Sequence, residues 1–269
     1  VNMAFTTIEL SFFTSFEKDF LWFMIGRTIS LSKTSFTGLS KETWLLSVIM
    51  LINRSGTMVV PFMTLYLTSK EMNRSLGDAG TVMGLFGLGA IIGAYFGGKF
   101  TDKIGFRKVQ LITLFFGGIL FIVLGQIHSF PLICVFTFLL SFVNEGFRPA
   151  NSSAIAFYST PDNRTRSYSL NRLSINLGWA VGVSIGGLVA AYNYELLFWI
   201  DGITNIGGAI FLFMFLKPTV STGKTEIKKE EVPVAQSAYK DKTYLFFIVL
   251  VMLFAFWFFQ SLKTVPKYF

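Results

Sequence analysis

Three charged side chains stand where the chain is otherwise apolar: Arg54, Glu145 and Arg148. Glu145 and Arg148 are three residues apart, which places them on one face of a helix. A carboxylate takes up and releases a proton, and its hold on that proton depends on burial and on neighbouring charge. An arginine stays charged. The trio suits proton-linked binding of a solute beside the charges, with Glu145 as the carrier. It equally suits a static ion pair that fixes two helices. Asn53, Asn144 and Asn151 could hydrogen-bond a substrate or a neighbouring helix. His128 is the single histidine and Cys134 the single cysteine. They permit neither a zinc site nor an internal disulfide, so no metal and no cofactor is expected beyond a proton as coupling ion. No phosphate-binding loop is present, so nothing supports drive by ATP. No Ser/His or His/Asp set shares one depth, which argues against an enzyme.

Composition sets these charges in a membrane. Of 269 residues, 52% are apolar and 14% charged, with 32 Phe and 24 Gly. Mean hydropathy is +0.59. Soluble domains carry about a quarter charged residues. This composition excludes a soluble enzyme, a disordered tail and a disulfide scaffold. A spanning helix needs about 20 mostly apolar residues. Seven stretches qualify: Thr43–Thr68, Ala79–Gly98, Val109–His128, Ser129 to about Ser159, Leu173–Tyr194, Leu196–Leu216 and Thr243–Leu262. The first is interrupted by Arg54 and the sixth by Asp201. The runs are continuously apolar, whereas membrane barrel strands alternate. An all-α membrane protein follows. Pro61 and Pro149 should bend spans 1 and 4. Asp201 is expected near the outer end of span 6, as an interfacial group. Arg172 is expected at the inner end of span 5, with its side chain reaching to phosphates. Phe256, Trp257, Phe258 and Phe259 face either lipid or an apolar substrate.

Basic residues gather in alternate loops. Lys99, Lys103, Arg107 and Lys108 follow span 2, and Arg164 and Arg166 follow span 4. Lys217, Lys224, Lys228, Lys229, Lys240 and Lys242 follow span 6, while the other loops hold only Lys70 and Arg74. The positive-inside rule places the richer set, and the N-terminus, in the cytoplasm. This opposes the orientation of seven-helix receptors. Topology then explains the net charge of +8 without nucleic acid.

Span 2 carries Gly89, Gly93 and Gly97, and span 5 carries Gly178, Gly182 and Gly186. A spacing of four puts each set on one face, where another helix can approach closely. Each is the second span of a triplet, and the triplets begin on opposite sides of the membrane. A 3+3 inverted repeat is expected, a hallmark of secondary transporters.

Between spans 2 and 3 the chain reads GGKFTDKIGFRKVQL, residues 97–111. This resembles the signature loop of the major facilitator superfamily, G-x-x-x-D-R/K-x-G-R-R/K. Gly98, Asp102, Lys103, Gly105, Arg107 and Lys108 fall on matching positions, and Phe106 replaces a basic residue. A glycine at a helix end permits close approach and positive φ, and a carboxylate there can face a helix N-terminus. The resemblance implies a latch that closes the cytoplasmic side against a second half, and a central cavity lined by spans 1, 4 and 7. It covers about residues 42–269. NEGFRPANSSAIA in span 4 and LFWIDGITN in span 6 look most like the drug/proton antiporter branch. Phe142 stands where that branch often has Arg, and Val183 follows Gly182 where it often has Pro. The alternative branch is the proton-coupled peptide transporters, whose span 1 usually carries a Glu-rich motif with Arg; here it reads NRSG. From another class the alternative is a non-transporting scaffold or receptor.

The resulting organisation is an N-terminal extension of uncertain status at 1–41 and a six-helix N-terminal half at 42–216. A cytoplasmic linker at 217–242 and the first helix of a second half at 243–269 follow. The extension is either a cytoplasmic segment or an artefact of where the reading frame was opened. Read this way, the chain is a secondary transporter of a small solute by alternating access, drug-efflux-like. It would be one half plus a stub, lacking its C-terminal half and unable to transport alone. Its expected surroundings are the lipid bilayer, as a multi-pass protein of a bacterial inner membrane. The orientation has a direct test. In a Cys134→Ser background, Lys70→Cys should react with an impermeant maleimide on intact cells, and Lys103→Cys only after permeabilisation.

Overall fold

The computed structural model describes residues 36–217 and 241–264, and every regular element among them is an α-helix. The N-terminal extension before residue 36 and linker residues 218–240 lie outside the described residues. So do the side chains of Phe256, Phe258 and Phe259. The chain divides into two compact units between Gly223 and Lys224. The first holds α1 (Lys41–Ser55), α2 (Val59–Leu67), α3 (Leu76–Ile104), α4 (Phe106–Gly125), α5 (Phe130–Glu145), α6 (Phe147–Tyr158), α7 (Arg164–Tyr192) and α8 (Glu195–Phe215). The second holds α9 (Lys242–Thr264), an apolar helix of 23 residues.

Six spans are long and apolar enough to cross a bilayer, at 41–67, 76–104, 106–125, 130–158, 164–192 and 195–215. Spans 1 and 4 are broken, α1 to α2 and α5 to α6. The prolines account for the places. Proline has no N–H for the carbonyl four residues back, and its ring crowds that carbonyl. For Pro61 that residue is Thr57, and for Pro149 it is Glu145. The helices part at 56–58 and at Gly146, and each proline sits in the first turn of the following helix.

Two boundaries differ from the sequence expectation. The stretch after span 2 is almost entirely helix: α3 runs on through Asp102 to Ile104, and Gly105 alone, at φ 86°, separates it from α4. Arg164 and Arg166 belong to the first turn of α7, not to a loop. Hydrophobicity marks only the apolar length, whereas a helix continues past it while its backbone bonds are made within itself. Ser75 starts α3 with a capping box: its Oγ accepts from Asp78 N–H at 3.0 Å and Asp78 Oδ2 accepts from Ser75 N–H at 3.2 Å.

Glycine stripes set the packing. A Cβ at Gly89 would lie 2.5 Å from Phe138 O, and one at Gly97 2.5 Å from Gly146 Cα; at Gly93 it would collide with Phe142 O. These contacts seat α3 on α5. On the other side, Gly178 would place a Cβ 2.6 Å from Arg54 Cβ and Gly182 one 2.8 Å from Ser55 O, which seats α7 on α1. Between α4 and α8 the approach is reciprocal. A Cβ at Gly118 would meet Gly202 O at 2.6 Å, and one at Gly202 would meet Gly118 O at 2.8 Å. Exchanging spans 1 with 4, 2 with 5 and 3 with 6 carries each of these interfaces onto another, or onto itself. That exchange is the 3+3 inverted repeat, here a six-helix bundle with a seventh helix following it.

The bundle faces outward with apolar side chains, among them Leu88, Ile91, Phe116, Leu188 and Phe213, all exposed. It buries Asn53, Arg54, Gln110, Asn151, Asp201 and Asn205. A soluble domain of this size would not expose so much apolar surface. Lipid is the solvent that fits. Gly98, matched to the signature motif, lies within α3, and a Cβ added there would meet nothing within 4 Å. The close approach expected at Gly98 belongs instead to its neighbour Gly97. Gly93→Leu should therefore destabilise the bundle by roughly 1–3 kcal/mol through overpacking, read as a lower denaturation midpoint in detergent. Gly98→Leu on the same helix should leave it unmoved.

Candidate functional site

The break in span 1 leaves backbone N–H groups without helical partners. In a bilayer such groups must be satisfied from within the protein. Asp201 of α8 does this. Its Oδ1 accepts from Met58 N–H at 2.9 Å and its Oδ2 from Val59 N–H at 2.8 Å. The carboxylate is wholly buried, at 0% exposure. It caps the N-terminus of α2, where the helix dipole favours negative charge. The interfacial position expected for Asp201 is thus corrected: it reaches inward because the break in span 1 presents two donors. Polar neighbours complete the joint. Asn53 Nδ2 donates to Asn205 Oδ1 at 2.7 Å, and Asn205 Nδ2 donates to the Asp201 carbonyl at 2.7 Å. Gly56 has no side chain where the Thr204 hydroxyl sits.

Arg54 ends α1 just before this joint. It is 5% exposed, and its Nε has no hydrogen-bond partner. No carboxylate among the described residues pairs with it; the ion pair of this neighbourhood is Arg148 Nε to Glu145 Oε2, at 3.0 Å. That pair straddles Gly146, the break in span 4. Arg54 lies within electrostatic range of both members. The structure thus brings Arg54, Glu145 and Arg148 into one neighbourhood, where spans 1 and 4 both break.

The amides are placed otherwise. Asn53 is engaged by Asn205, as above. Asn151, fully buried, accepts from Gln110 Nε2 at 3.1 Å and donates to Asn171 Oδ1 at 3.0 Å, tying α4, α6 and α7 together. Asn144 directs its Oδ1 against Gly117 of α4, into the space a Cβ there would take. The asparagine side chains serve contacts between helices.

A cleft of about 600 Å³ opens between α1, α6 and α7. Met50, Arg148, Ser152, Tyr168, Asn171 and Arg172 are among its walls. Met50 lies one turn before Arg54 and shares its helix face. Arg172, expected to reach toward phosphates, borders this cleft.

At the joint between α3 and α4, Gly105 adopts the positive φ that glycine tolerates best. Asp102, Lys103 and Lys108 are exposed. Arg107 turns back to the end of α8, where Nε donates to Leu216 O at 2.8 Å and an Nη donates to Phe213 O at 3.1 Å. It supplies positive charge and donors to the carbonyl end of that helix. Phe106 is buried with its ring centroid 5.4 Å from that of Phe157 and 5.9 Å from that of Tyr158. An aromatic side chain at this position fastens the joint to α6, which a basic one would not do.

The bundle is six lipid-facing spans built as an inverted repeat, with a buried arginine at the break in span 1 and an ion pair, exposed at Arg148, at the break in span 4. The family model described as Major Facilitator Superfamily matches residues 43–268, and the chain belongs to that superfamily. Among curated relatives it is 26% identical over 183 residues to the uncharacterized MFS-type transporter YdeE of Escherichia coli (strain K12), covering 67% of this chain and 45% of the relative. It is 28% identical over 155 residues to the multidrug resistance protein MdtG of Proteus mirabilis (strain HI4320), covering 56% and 38%. It is 25% identical over 150 residues to the multi-drug resistance efflux pump PmrA homolog of Lactococcus lactis subsp. lactis (strain IL1403), covering 55% and 37%. The chain spans about half the length of the curated relatives it matches or less.

Asp201, expected at the interface, is the buried cap of the span 1 joint that the sequence did not reveal. The signal that could have found it was the pairing of two oddities: a proline break in one apolar span and a lone carboxylate in another. Asp201→Ala leaves two buried donors without an acceptor, at about 1–3 kcal/mol each. It should lower the denaturation midpoint in detergent well below that of Asp201→Asn, which keeps one acceptor oxygen.

Proposed function

We propose that this chain forms the N-terminal half of a secondary transporter that moves a small solute by alternating access, coupled to a proton gradient and working in efflux. The observation that carries it is the charge group at the two broken spans: buried Arg54 beside the Glu145–Arg148 pair. Charges at membrane depth are costly and normally line a polar pathway or pair with one another. In this reading Glu145 carries the coupling proton, and its contact with Arg148 is made and broken as the cavity alternates. The names of the matched relatives, a multidrug resistance protein and a multi-drug resistance efflux pump homolog, support the drug-efflux direction.

The remaining parts follow from the same reading. The six-span half, its two triplets locked together through glycine contacts, rocks as one unit against a second half about the site. Gly105 is the joint of the latch, and Asp102, Lys103 and Lys108 offer its free charges to a second six-span half. Arg107 holds the latch to the end of α8, next to the segment that leads to α9. The ends of the bundle with the basic residues lie in the cytoplasm, in a bacterial inner membrane. The other wall of the cavity comes from the second half, so vesicles holding this chain alone show no gradient-driven accumulation.

In the transporter containing this chain, Glu145→Gln should cut dye efflux driven by a pH gradient by at least about tenfold, the range in which positioned proton carriers contribute, with folded yield unchanged. A fall in yield with full flux per folded molecule would instead make Glu145–Arg148 a static brace.

A further inference from the structure

We infer that the groove between α4 and α8 binds an anionic phospholipid, with one acyl chain in the groove and the phosphate at its basic end. The groove comes from how the two helices part. At Gly118 and Gly202 they meet backbone to backbone. Nearly two turns further along α8, a Cβ at Gly208 would meet only the Leu114 side chain, at 4.0 Å. There a groove of about 410 Å³ opens. Its walls are Ile112, Phe115, Phe116, Ile210 and Phe213, all exposed, and the buried Ala209 lines it between them. These walls belong to the apolar surface that lipid covers. Beyond the groove Arg107 ties the helices together again, through its bonds to Phe213 O and Leu216 O.

The charges at that end complement a phosphate. The Arg107 guanidinium carbon lies 5.5 Å from the centroid of the Phe213 ring, itself a wall of the groove. Its two bonds to α8 carbonyls leave further N–H groups of the fork for a phosphate oxygen. Lys108 precedes Ile112 by four residues and Phe115 by seven, so it shares the groove face of α4. It is exposed, as is Lys217, which directly follows the C-cap Leu216 of α8. None of these three cations pairs with a carboxylate among the described residues. A zwitterionic lipid brings a cation of its own to such a cluster, whereas an anionic lipid brings only the complement. This place on α4 gives Lys108 to lipid and leaves Asp102 and Lys103 to the latch.

The length fits one leaflet. From Lys108 to Phe116 the α4 face runs about 12 Å, at a rise of about 1.5 Å per residue. Half of the hydrocarbon core of a bilayer is about 15 Å. A lipid whose phosphate sits beside Lys108 therefore lays its chain along the groove to near the bilayer centre.

Two photoactivatable lipids that differ only in headgroup test this: phosphatidylglycerol and phosphatidylcholine, each with a diazirine in one acyl chain. Each is added as a trace to phosphatidylcholine nanodiscs holding the full chain, and the labelled peptides are mapped by mass spectrometry. Peptides covering 111–116 and 209–213 should be labelled at least about fivefold more by phosphatidylglycerol, the worth of one basic residue at a membrane surface. The exposed stretch at Leu173 and Leu177 of α7, with Arg172 beside it, should show no such preference. Lys108→Gln should lower the ratio at the groove by about fivefold, and Lys108→Arg should keep it. Should Lys108→Gln fail to fold, Lys217→Gln, exposed and outside the helix, should still lower the ratio. Equal labelling of the groove by the two lipids, an equal preference at Leu173 and Leu177, or an unchanged ratio in a folded Lys108→Gln protein would each overturn the lipid site.

Discussion

The first six-span unit depends on one constraint: a backbone broken inside a membrane bundle must find its hydrogen bonds within the protein. Span 1 breaks because Pro61 cannot continue the ladder. Met58 and Val59 then offer free donors at the core, and the buried Asp201 carboxylate takes both. This clasp fixes span 6 to span 1 at a single depth. Asn53 and Asn205 reinforce it, and Gly56 makes room for Thr204 beside it. Arg54 is the last residue but one of α1, so the clasp also fixes where that charge points its stem.

Close glycine contacts give the remaining order. In lipid the hydrophobic effect does not drive helices together, and tight van der Waals packing takes its place. The stripes on α3 and α7 bring backbone to within contact of α5 and α1, and Gly118 and Gly202 do the same for α4 and α8. Three interfaces related by one pseudo-symmetry leave spans 1 and 4 in equivalent roles. Both are broken, and both bear the internal charges. The symmetry is imperfect at the breaks: span 1 has a carboxylate from span 6 at its break, whereas the Glu145–Arg148 pair of span 4 itself straddles the other.

Much of this was legible in the amino-acid order alone. The apolar runs marked the spans, because their length is set by bilayer thickness. Glycines spaced by four marked the packing faces, and the prolines marked both breaks. Asp102, Gly105 and Arg107 carried the family resemblance that the family model bears out. The site was less legible. The spacing of three put Glu145 and Arg148 on one helix face, where they pair, but it did not tell that Arg54 would be left without a carboxylate. Asn53 and Asn151 read equally as substrate or helix–helix groups, and their partners on other helices came into view only in the fold.

The sequence by itself determined the solvent, the number of spans in the bundle, the helix breaks and the family, all of which follow from composition and short-range periodicity. Tertiary structure alone decided which polar groups satisfy one another. Asp201 and Met58 are 143 residues apart, and Asn53 and Asn205 are 152 apart. Such pairings depend on how whole helices dock and rotate, and a periodicity of 3.6 residues carries no record of that. For the same reason the cleft, with its arginines and its lack of acid, exists only once α1, α6 and α7 are assembled.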